Sequence, residues 1–468
     1  MGYLQYKDVE SLWMTQIPSS WNYKLLRSVF YERKESNDPV KITEILSLSA
    51  KHGVQLYSDK KHEGGNRAKD DLTKYHIAHP GDLIVNCMNI VSGSVGLSKY
   101  TGLISPVYYA LVTRSEDYNR YYYSYLFSLE TFQKSLLPLG KGILMHESST
   151  GKLNTVRMRI SMSSFNNVPL PVPPREEQNQ IVRYLDWQLS KINKLIHGYQ
   201  REIKLLEERK TAIINNAVTK GLDPDVEYKS VESNWTGDIP SHWDFGAIKQ
   251  HFQIQKRIAG KEGYDVLSIT QQGLKIKDVA SNEGQIAASY ANYQFVYPGD
   301  FAMNHMDLLT GYVGLSEYFG VTSPDYRVFT ITDTDNCNPE YYLYIFQLCY
   351  RRRIFYGLGK GAASKGRWRM PAINFKNFGI PIPPMKEQIE IVAFIKEQEK
   401  KIGELIEGIE KNIEALKEYR TRLISDVVTG QMDVRGIEIP DYMPEEETDI
   451  SDEAEDTDDM ESEVSGDE

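Results

Sequence analysis

The chain has 468 residues, of which 41% are hydrophobic and 25% are charged, and its formal net charge is −11. This length suggests about three domain-sized units. Three cysteines are too few for a disulfide framework, no stretch reaches the roughly 18 apolar residues of a membrane span, and no apolar run of a secretory signal peptide follows the first residue. We therefore expect a soluble, cytoplasmic protein that has no membrane partner.

The acidic excess lies at the C-terminal end. Residues 441–468 contain 15 of the 65 acidic residues and no Lys or Arg, which leaves 54 basic against 50 acidic residues, a net charge of +4, for the remainder. A like-charge segment with few apolar residues is typical of disorder, so we expect an acidic disordered tail over 437–468. A solubilising role is the simplest interpretation, and a nucleic-acid mimic or a docking arm are the alternatives.

Most of the sequence consists of two similar copies in tandem. SLWMTQIPSSW at 11–21 returns as SNWTGDIPSHW at 233–243, and the segment around PGD at 75–109 returns at 293–327. LGKG at 139–142 returns at 358–361, and NNVPLPVPPREEQNQIV at 166–182 returns as KNFGIPIPPMKEQIEIV at 376–392. Four landmarks in one order indicate a tandem duplication, and a repeat of about 210 residues is a domain rather than a solenoid unit.

Each copy begins with a mixed α/β part, which we predict over 1–172 and 223–382. Short β-branched and aromatic runs interrupted by Gly and Pro, such as GDLIVNCMNIV and GLISPVYYALV, predict strands. The segments NRYYYSYLFSLETF and PEYYLYIFQLCYRRRIF predict amphipathic helices. We expect most of their tyrosines in the core, and base-stacking platforms are the alternative.

A long helix completes each copy, over 173–222 and 383–436. The prolines of PLPVPP end the preceding structure, and apolar residues then follow a heptad pattern in both copies in the same phase. Each helix of about 40 residues would be about 60 Å long. Two such helices in one chain most simply form an antiparallel coiled coil, with the two α+β domains related by a pseudo-two-fold axis. The stripe comprises Ile181, Leu185, Leu189, Ile192, Ile196, Tyr199, Ile203, Leu206, Ile213 and Ala217 in the first copy.

Motifs for catalysis are incomplete. CNPEY at 337–341 is similar to the [DN]PP[YF] loop of amino-methyltransferases, but Glu340 replaces the second proline, and Asn338 is better explained as a helix cap. PDVEYK at 224–229 has the elements of a nuclease site but fits a linker, and the pair His76 and His79 lacks a third metal ligand. We predict no catalytic residue, metal site or cofactor in this chain.

Binding therefore remains as a function, and two similar domains on a helical spacer suit two related half-sites along one face of a DNA duplex. Basic residues lie in the segments where the copies differ, including HESSTGKLNTVRMR at 146–159 and GKGAASKGRWRM at 359–370. Lys141 and Lys360, which the copies share, are predicted to contact DNA phosphates. The differing residues are predicted to contact bases, because Arg can bind two acceptors on one base. The alternatives are contacts to a partner subunit or a plain charged surface. The predicted base-contacting residues are Arg157, Arg159, Lys365, Arg367 and Arg369.

Over residues 11–435 the chain resembles the specificity subunit of Type I restriction-modification systems. The resemblance is carried by the paired WxxxIPxxW, PGD and PxPPxxEQxxI segments and by the helix ends AVTKG and VVTGQ. It implies two target-recognition domains that each recognise half of a bipartite sequence in double-stranded DNA, and two helical regions that fix the gap. It also implies two modification subunits and restriction subunits as partners, which would carry S-adenosylmethionine, ATP and Mg. The alternative is an enzyme with a fused or cryptic methyltransferase or nuclease activity.

Overall fold

The chain folds into two compact units, each of which contains the α/β part of one copy of the repeated sequence. The first unit is drawn from Met1–Gln200 and Lys411–Glu468, and the second from Arg201–Glu410. Each unit therefore holds one mixed α/β head, the beginning of the long helix that follows it and the end of the other long helix. The computed structural model describes residues 2–11, 13–49, 52–58, 71–88, 90, 93–143, 157–270, 273–278, 289–309, 311–360 and 368–444.

The head of the first unit is built from short strands and short helices, as its interrupted apolar runs predict. The strands are β1 Tyr6–Asp8, β2 Gln16–Pro18, β3 Asn22–Leu25, β4 Phe30–Arg33, β5 Glu35–Ser36, β6 Leu46–Ser49, β7 Gly53–Leu56, β8 His76–Ala78, β9 Leu83–Asn86, β10 Val95–Leu97, β11 Gly102–Ile104, β12 Tyr108–Thr113, β13 Gly140–Ile143, β14 Arg157–Ile160 and β15 Pro169–Val172. The helices are α1 Leu26–Val29, α2 Arg120–Ser128, α3 Glu130–Ser135 and α4 Met162–Phe165, followed by the long helix α5 Arg175–Lys220.

The head of the second unit repeats this plan. Its strands are β16 Tyr228–Lys229, β17 Ile239–Pro240, β18 Asp244–Ala247, β19 Phe252–Gln255, β20 Leu267–Thr270, β21 Gly273–Ile276, β22 Gln294–Val296, β23 Phe301–Met303, β24 Val313–Leu315, β25 Gly320–Thr322, β26 Arg327–Ile331 and β27 Gly379–Ile382. Its helices are α6 Pro339–Arg351 and α7 Ala372–Asn377, followed by the long helix α8 Met385–Val428.

A four-stranded antiparallel sheet forms the centre of each head. The strand order is β10-β9-β12-β4 in the first unit and β24-β23-β26-β19 in the second, so equivalent strands occupy equivalent places. The inner strand β9 buries Leu83, Ile84 and Val85 almost completely. A strand buried on both faces shows such a continuous apolar run rather than an alternating pattern, which explains why GDLIVN lacks alternation.

The tyrosine-rich helices α2 and α6 pack into these cores. Asn119 caps α2 by accepting a hydrogen bond from the backbone N–H of Tyr121, and Asn338 caps α6 by accepting one from Glu340. The prediction that most tyrosines are core residues is confirmed for the four that are fully buried, and the cap prediction for Asn338 is confirmed. The fully buried tyrosines are Tyr122, Tyr123, Tyr341 and Tyr342, and Tyr350 is 4% exposed.

The paired WxxxIPxxW and PxPPxxEQ segments form the joint between each head and its long helix. The indole Nε1 of Trp21 donates to Glu177 Oε1 over 2.8 Å, and that of Trp243 donates to Glu387 Oε2 over 2.8 Å. Both tryptophans are fully buried, so each needs an acceptor for its N–H, and the carboxylate supplies it. The first turn of a helix also favours a negative charge.

The glutamine that follows this glutamate ties the start of the helix to the head. Gln178 Oε1 accepts from the backbone N–H of Asn119 over 2.7 Å, and its Nε2 donates to Pro173 O over 2.8 Å. Gln388 repeats both bonds, with the backbone N–H of Asn338 and with Pro383 O, each at 2.8 Å. The repeated motif therefore has a structural explanation, since each of its polar side chains satisfies buried partners.

Each unit also receives the end of the other long helix. In the first unit Tyr122 Oη donates to Val428 O over 2.9 Å, and in the second Tyr341 Oη donates to Val218 O over 2.8 Å. Gly221 and Gly430 follow these helix ends with positive φ angles of 76° and 74°. A Cβ at Gly430 would lie 2.6 Å from Pro18 and 2.9 Å from Trp21, so glycine is required there for its small size as well as for its conformation.

The predicted heptad stripe is the buried side of α5 and α8. Ile181, Leu185, Leu189, Ile192 and Ile196 of α5 are almost fully buried, and the later stripe residues are buried or half-buried. Among the described residues, no helix has an apolar stretch sufficient to cross a membrane. Residues 437–443 at the start of the predicted tail contact α5, where Ser190 Oγ donates to Met443 O over 3.2 Å. The remainder of that tail, 445–468, lies outside the described residues.

Candidate functional site

A short hairpin in the first unit brings two predicted site residues side by side. Lys141 of β13 lies directly opposite Arg159 of β14, and Arg157 lies opposite Ile143. Lys141 and Arg159 are both exposed. Like charges directly opposite one another destabilise an antiparallel pair unless an anion is present. The chain between the two strands, 144–156, lies outside the described residues.

The second unit repeats this pairing. Lys360 lies opposite Arg369, with their backbone N–H groups and carbonyls joined by hydrogen bonds of 2.9 and 3.2 Å, and both side chains are exposed. Lys365 and Arg367, the other two predicted residues of this head, lie outside the described residues. Each head therefore presents a lysine and an arginine across the stem of an equivalent hairpin.

Both hairpins are anchored to the central sheet by the residue after the arginine. The backbone N–H of Ile160 donates to Cys87 O over 3.1 Å, and that of Met370 donates to His305 O over 2.9 Å. Ile160 and Met370 are almost fully buried. These hydrogen bonds fix the position at which each hairpin leaves the core, and therefore the position of the basic residues on it.

The carbonyl of the anchor residue meets different side chains in the two heads. In the first unit Tyr109 Oη donates to Ile160 O over 2.9 Å, while in the second Arg327 Nη2 donates to Met370 O over 2.9 Å. Tyr109 and Arg327 are equivalent in the duplication, and each packs against an equivalent ring, Phe165 or Phe375. A tyrosine in one head is thus replaced by a buried guanidinium in the other.

The replacement changes the electrostatics of the second head. Burial lowers the pKa of Arg327 to about 10, and burial together with the charges of Arg327 and Arg369 lowers the pKa of His305 to about 3. His305 is therefore neutral at physiological pH. These side chains line a cavity of about 460 Å³ that also includes Lys256 and Lys360.

The sequence alone does not identify Arg327, His305 and Lys256 as site residues. One difference between the two copies could have indicated Arg327. The aligned strings SPVYY and SPDYR differ in hydrophobicity at the position of Tyr109 and Arg327. The arginines of YRRRIF are partly structural instead, since Arg352 Nη1 donates to Asn215 Oδ1 and Arg351 Nε donates to Tyr312 Oη.

One group of possible metal ligands occurs in the described part of the chain. It consists of His251, Asp333 and Cys337, whose ligand atoms lie within 4.8 Å of one another. His251 Nδ1 lies 2.9 Å from Asp333 Oδ2, and Asn336 donates to both oxygens of Asp333. Since these bonds already satisfy the carboxylate, and burial raises the pKa of the Cys337 thiol to about 11, the group is explained as a polar contact at the sheet edge.

In the pair His76 and His79, one histidine contacts a carboxylate. His79 Nε2 lies 2.8 Å from Glu35 Oε2, and the hydrogen bond from this histidine lowers the pKa of the Glu35 carboxyl. A half-buried histidine–carboxylate pair of this kind is an ordinary contact near the protein surface.

The family comparison covers both heads. The model of the Type I restriction modification DNA specificity domain matches residues 67–205 and again 240–415. The two matches include both hairpins, the PxPPxxEQ segment of each joint and most of both long helices.

Two curated relatives, both from Methanocaldococcus jannaschii, are similar in sequence. The Type I restriction enzyme MjaVIII specificity subunit is 24% identical over 289 residues, which is 58% of this chain and 64% of the relative. The putative type I restriction enzyme MjaX specificity subunit is 25% identical over 300 residues, which is 59% of this chain and 62% of the relative. The match thus spans less than two thirds of the length of either relative.

One solved structure shares the fold, and a second is similar over most of the chain. A chain from a type I R-M system, studied for complex assembly and conformational transition, superposes with a TM-score of 0.59 at 12% identity and covers 89% of this chain and 99% of that one. The HsdS subunit of Thermoanaerobacter tengcongensis gives a TM-score of 0.44 at 14% identity, covering 89% and 98% of the two chains.

Proposed function

Because the chain belongs to the Type I restriction modification DNA specificity domain family, we propose that it is the sequence-specific DNA-binding subunit of a Type I restriction-modification complex. Each head recognises one half of a bipartite target in double-stranded DNA. The observation that carries the proposal is the repeated hairpin stem, on which Lys141 and Arg159 in one head match Lys360 and Arg369 in the other. Two equivalent basic stems suit two related half-sites on one duplex.

The hairpin residues fall into two groups, those that are the same in both copies and those that differ. The shared lysines, Lys141 and Lys360, contact phosphates, which are the same in every sequence. The differing residues contact base edges and give each head its own preference. The rival interpretation makes the hairpins contacts to a modification subunit, and the experiment below separates the two. The proposed base-contacting residues are Arg157, Arg159, Lys365, Arg367 and Arg369.

The long helices act as a spacer between the heads, as an antiparallel coiled coil. The proposal is supported by the apolar stripe at heptad spacing in α5 and α8. It is also supported within the first unit, where the start of α5 and the end of α8 belong to the same body and Tyr122 holds the carbonyl of Val428. The second unit has the converse arrangement, in which Tyr341 holds the carbonyl of Val218 near the end of α5.

The chain is non-catalytic and acts through partners in the cytoplasm. It scaffolds two modification subunits, which bind S-adenosylmethionine, and restriction subunits, which use ATP and Mg. The absence of a complete catalytic motif in the sequence supports this assignment. The alternative, a fused or cryptic methyltransferase or nuclease, predicts activity in the purified chain alone.

The test selects targets from a randomised duplex library with the full chain assembled with its modification subunits. We expect a motif of two short half-sites separated by a fixed gap, and methylation only when the modification subunits are present. Arg159→Ala should relax the preference at one half-site while assembly with the modification subunits is kept, and the loss of assembly with an unchanged preference would make the hairpin a partner contact. Lys401→Ala, which removes an exposed cation paired with Glu397 on α8, is the control for charge loss alone. A single continuous motif, or methyl transfer by the chain without partners, would contradict the proposal.

A further inference from the structure

We propose that the cavity beside the hairpin of the second unit is a binding pocket for a backbone phosphate of DNA, and that the first unit has no counterpart among its described residues. The inference rests on the proposed function and adds to it a ligand group and two cationic residues, Lys256 and Arg327. The cavity measures about 460 Å³ and lies entirely within the second unit. Its cationic lining residues are Lys256, Arg327, Lys360 and Arg369.

The buried arginine is the strongest indication of an anion. Arg327 is 5% exposed, and although Nη2 donates to Met370 O, its buried Nη1 has no hydrogen-bond partner among the residues that the structure describes. A buried charge without a partner is costly, and an anion in the cavity would supply both the missing acceptor and the missing counter-charge. The guanidinium lies 4.8 Å from the ring of Phe375, which holds it in position.

The remaining lining leaves this charge uncompensated. The described lining residues include no Asp or Glu, and the apolar side chains of Ile254, Ile258 and Pro371 form part of the wall. Gln294, a neutral donor in the lining, already uses its Nε2 on Ser323 O and Tyr326 O. His305 Nδ1 is also buried without a partner among the described residues, and burial together with the charges of Arg327 and Arg369 lowers the pKa of this histidine.

This composition favours a phosphate over a base edge. A guanine edge offers neutral acceptors and cannot compensate a group of four cations, whereas a phosphate carries a negative charge and several acceptor oxygens. The pocket therefore moves Arg369 from the predicted base-contacting residues to the phosphate-contacting ones. Arg159, its counterpart in the first unit, keeps its assignment to a base.

The first unit lacks the same features at the equivalent positions. Tyr109 stands in place of Arg327, and its hydroxyl is satisfied by Ile160 O. Lys34 stands in place of Lys256, but its Nζ lies 3.1 Å from Glu32 Oε2, and Glu32 stands in place of Ile254. At these equivalent positions the second unit thus has Ile254 where the first has an acidic residue, and the buried cation Arg327 where the first has a tyrosine.

The test measures binding of inorganic phosphate to the full chain by calorimetry, and binding of duplex DNA at several salt concentrations. Lys256→Ala removes an exposed cation and should not affect folding, and Arg327→Gln removes the buried one. We expect both to weaken phosphate binding about tenfold, as loss of a charge-assisted hydrogen bond implies. Each should lower the slope of log K against log salt by about one, without changing the half-site sequence. Lys34→Ala is the matched control and should leave phosphate affinity unchanged.

The outcomes separate this inference from the function on which it rests. Unchanged phosphate binding and an unchanged salt slope in Lys256→Ala would overturn the pocket while duplex binding still supported the proposed function. A changed base preference with an unchanged slope would show that the pocket holds a base instead. Phosphate binding without any change in slope would assign the pocket to free phosphate and overturn the DNA backbone as its ligand. Failure of the unmodified chain, assembled with its partners, to bind any duplex would overturn the proposed function itself.

Discussion

The two heads are built on one framework but differ next to their hairpins. Trp21 and Trp243 both donate to a glutamate in the first turn of a long helix, over the same 2.8 Å. By contrast, Tyr109 and Arg327 hold the same backbone carbonyl with different chemistry. Residues that keep their buried partner in both copies maintain the fold. Residues that change at a fixed backbone position are therefore the candidates for making the two half-sites different.

The largest effect is expected from lengthening the two long helices, α5 and α8. Inserting seven helix-forming residues after Gln200 in α5, and seven more after Glu410 in α8, adds one heptad to each helix and preserves the apolar stripe. If the helices are the spacer, the heads separate by about 10 Å, or roughly three base pairs. Binding to the original target should be lost and recovered on a target whose gap is about three base pairs longer, as measured by selection from a gap library.

Insertions of two residues at the same places are the control for this experiment. They rotate the apolar stripe by roughly 200°, to the other side of the helix, so no single new gap should restore full binding. A target gap that stays the same after the seven-residue insertions would show that the helices do not set the distance.

The next largest effect concerns the common joint. Trp21→Ala and Trp243→Ala each remove a fully buried indole and one hydrogen bond to the glutamate at the start of the long helix. Each should lower the free energy of unfolding of its own unit by about 3–5 kcal/mol, measured by urea denaturation. Trp187→Ala, which removes a half-buried indole from α5, should cost clearly less. A large loss in one head and none in the other would show that the joints are not equivalent.

An effect confined to the second head is expected from pH, and over the first pH unit below 6.5 it is smaller than that of the tryptophan variants. The pKa of His305 is lowered to about 3 by burial and nearby cations, whereas a histidine in an unfolded chain has a pKa of about 6.5. Below pH 6.5 the unfolded state therefore binds a proton that the folded state does not. The stability of the second unit should fall as the pH decreases from 6.5 towards 3, by about 1.4 kcal/mol per pH unit.

His305→Cys isolates this contribution, because the first head has Cys87 at the same position. The variant should lose the part of the pH dependence that lies between pH 6.5 and 3, as measured by urea denaturation at several pH values. His52→Gln, which removes an exposed histidine, should leave the curve as it is. An identical pH dependence in His305→Cys and the unmodified chain would mean that His305 takes up its proton normally.

The sequence predicts the framework better than the site, for a physical reason. Caps such as Asn338, the proline joints and the heptad stripe act over a few residues, so their patterns are visible locally. The opposition of Lys141 and Arg159 depends on the pairing of strands separated by a divergent segment, and nothing local specifies that register. The role of Arg327 depends on burial by the surrounding sheet, and its position in an apparent strand gives no indication of an unpaired charge.

The smallest effect concerns the hairpin stem of the first head. Lys141→Ala should weaken binding to all duplexes alike and lower the slope of log K against log salt by about one, because one phosphate contact is lost. Arg159→Ala, the opposite residue on the stem, should relax the preference at one half-site by about 1–3 kcal/mol and leave the other half-site unchanged. Both variants are measured by salt-dependent binding to matched and mismatched duplexes, with Lys401→Ala as the control. If Arg159→Ala kept the full preference but no longer assembled with the modification subunits, the stem would be a partner contact rather than a base contact.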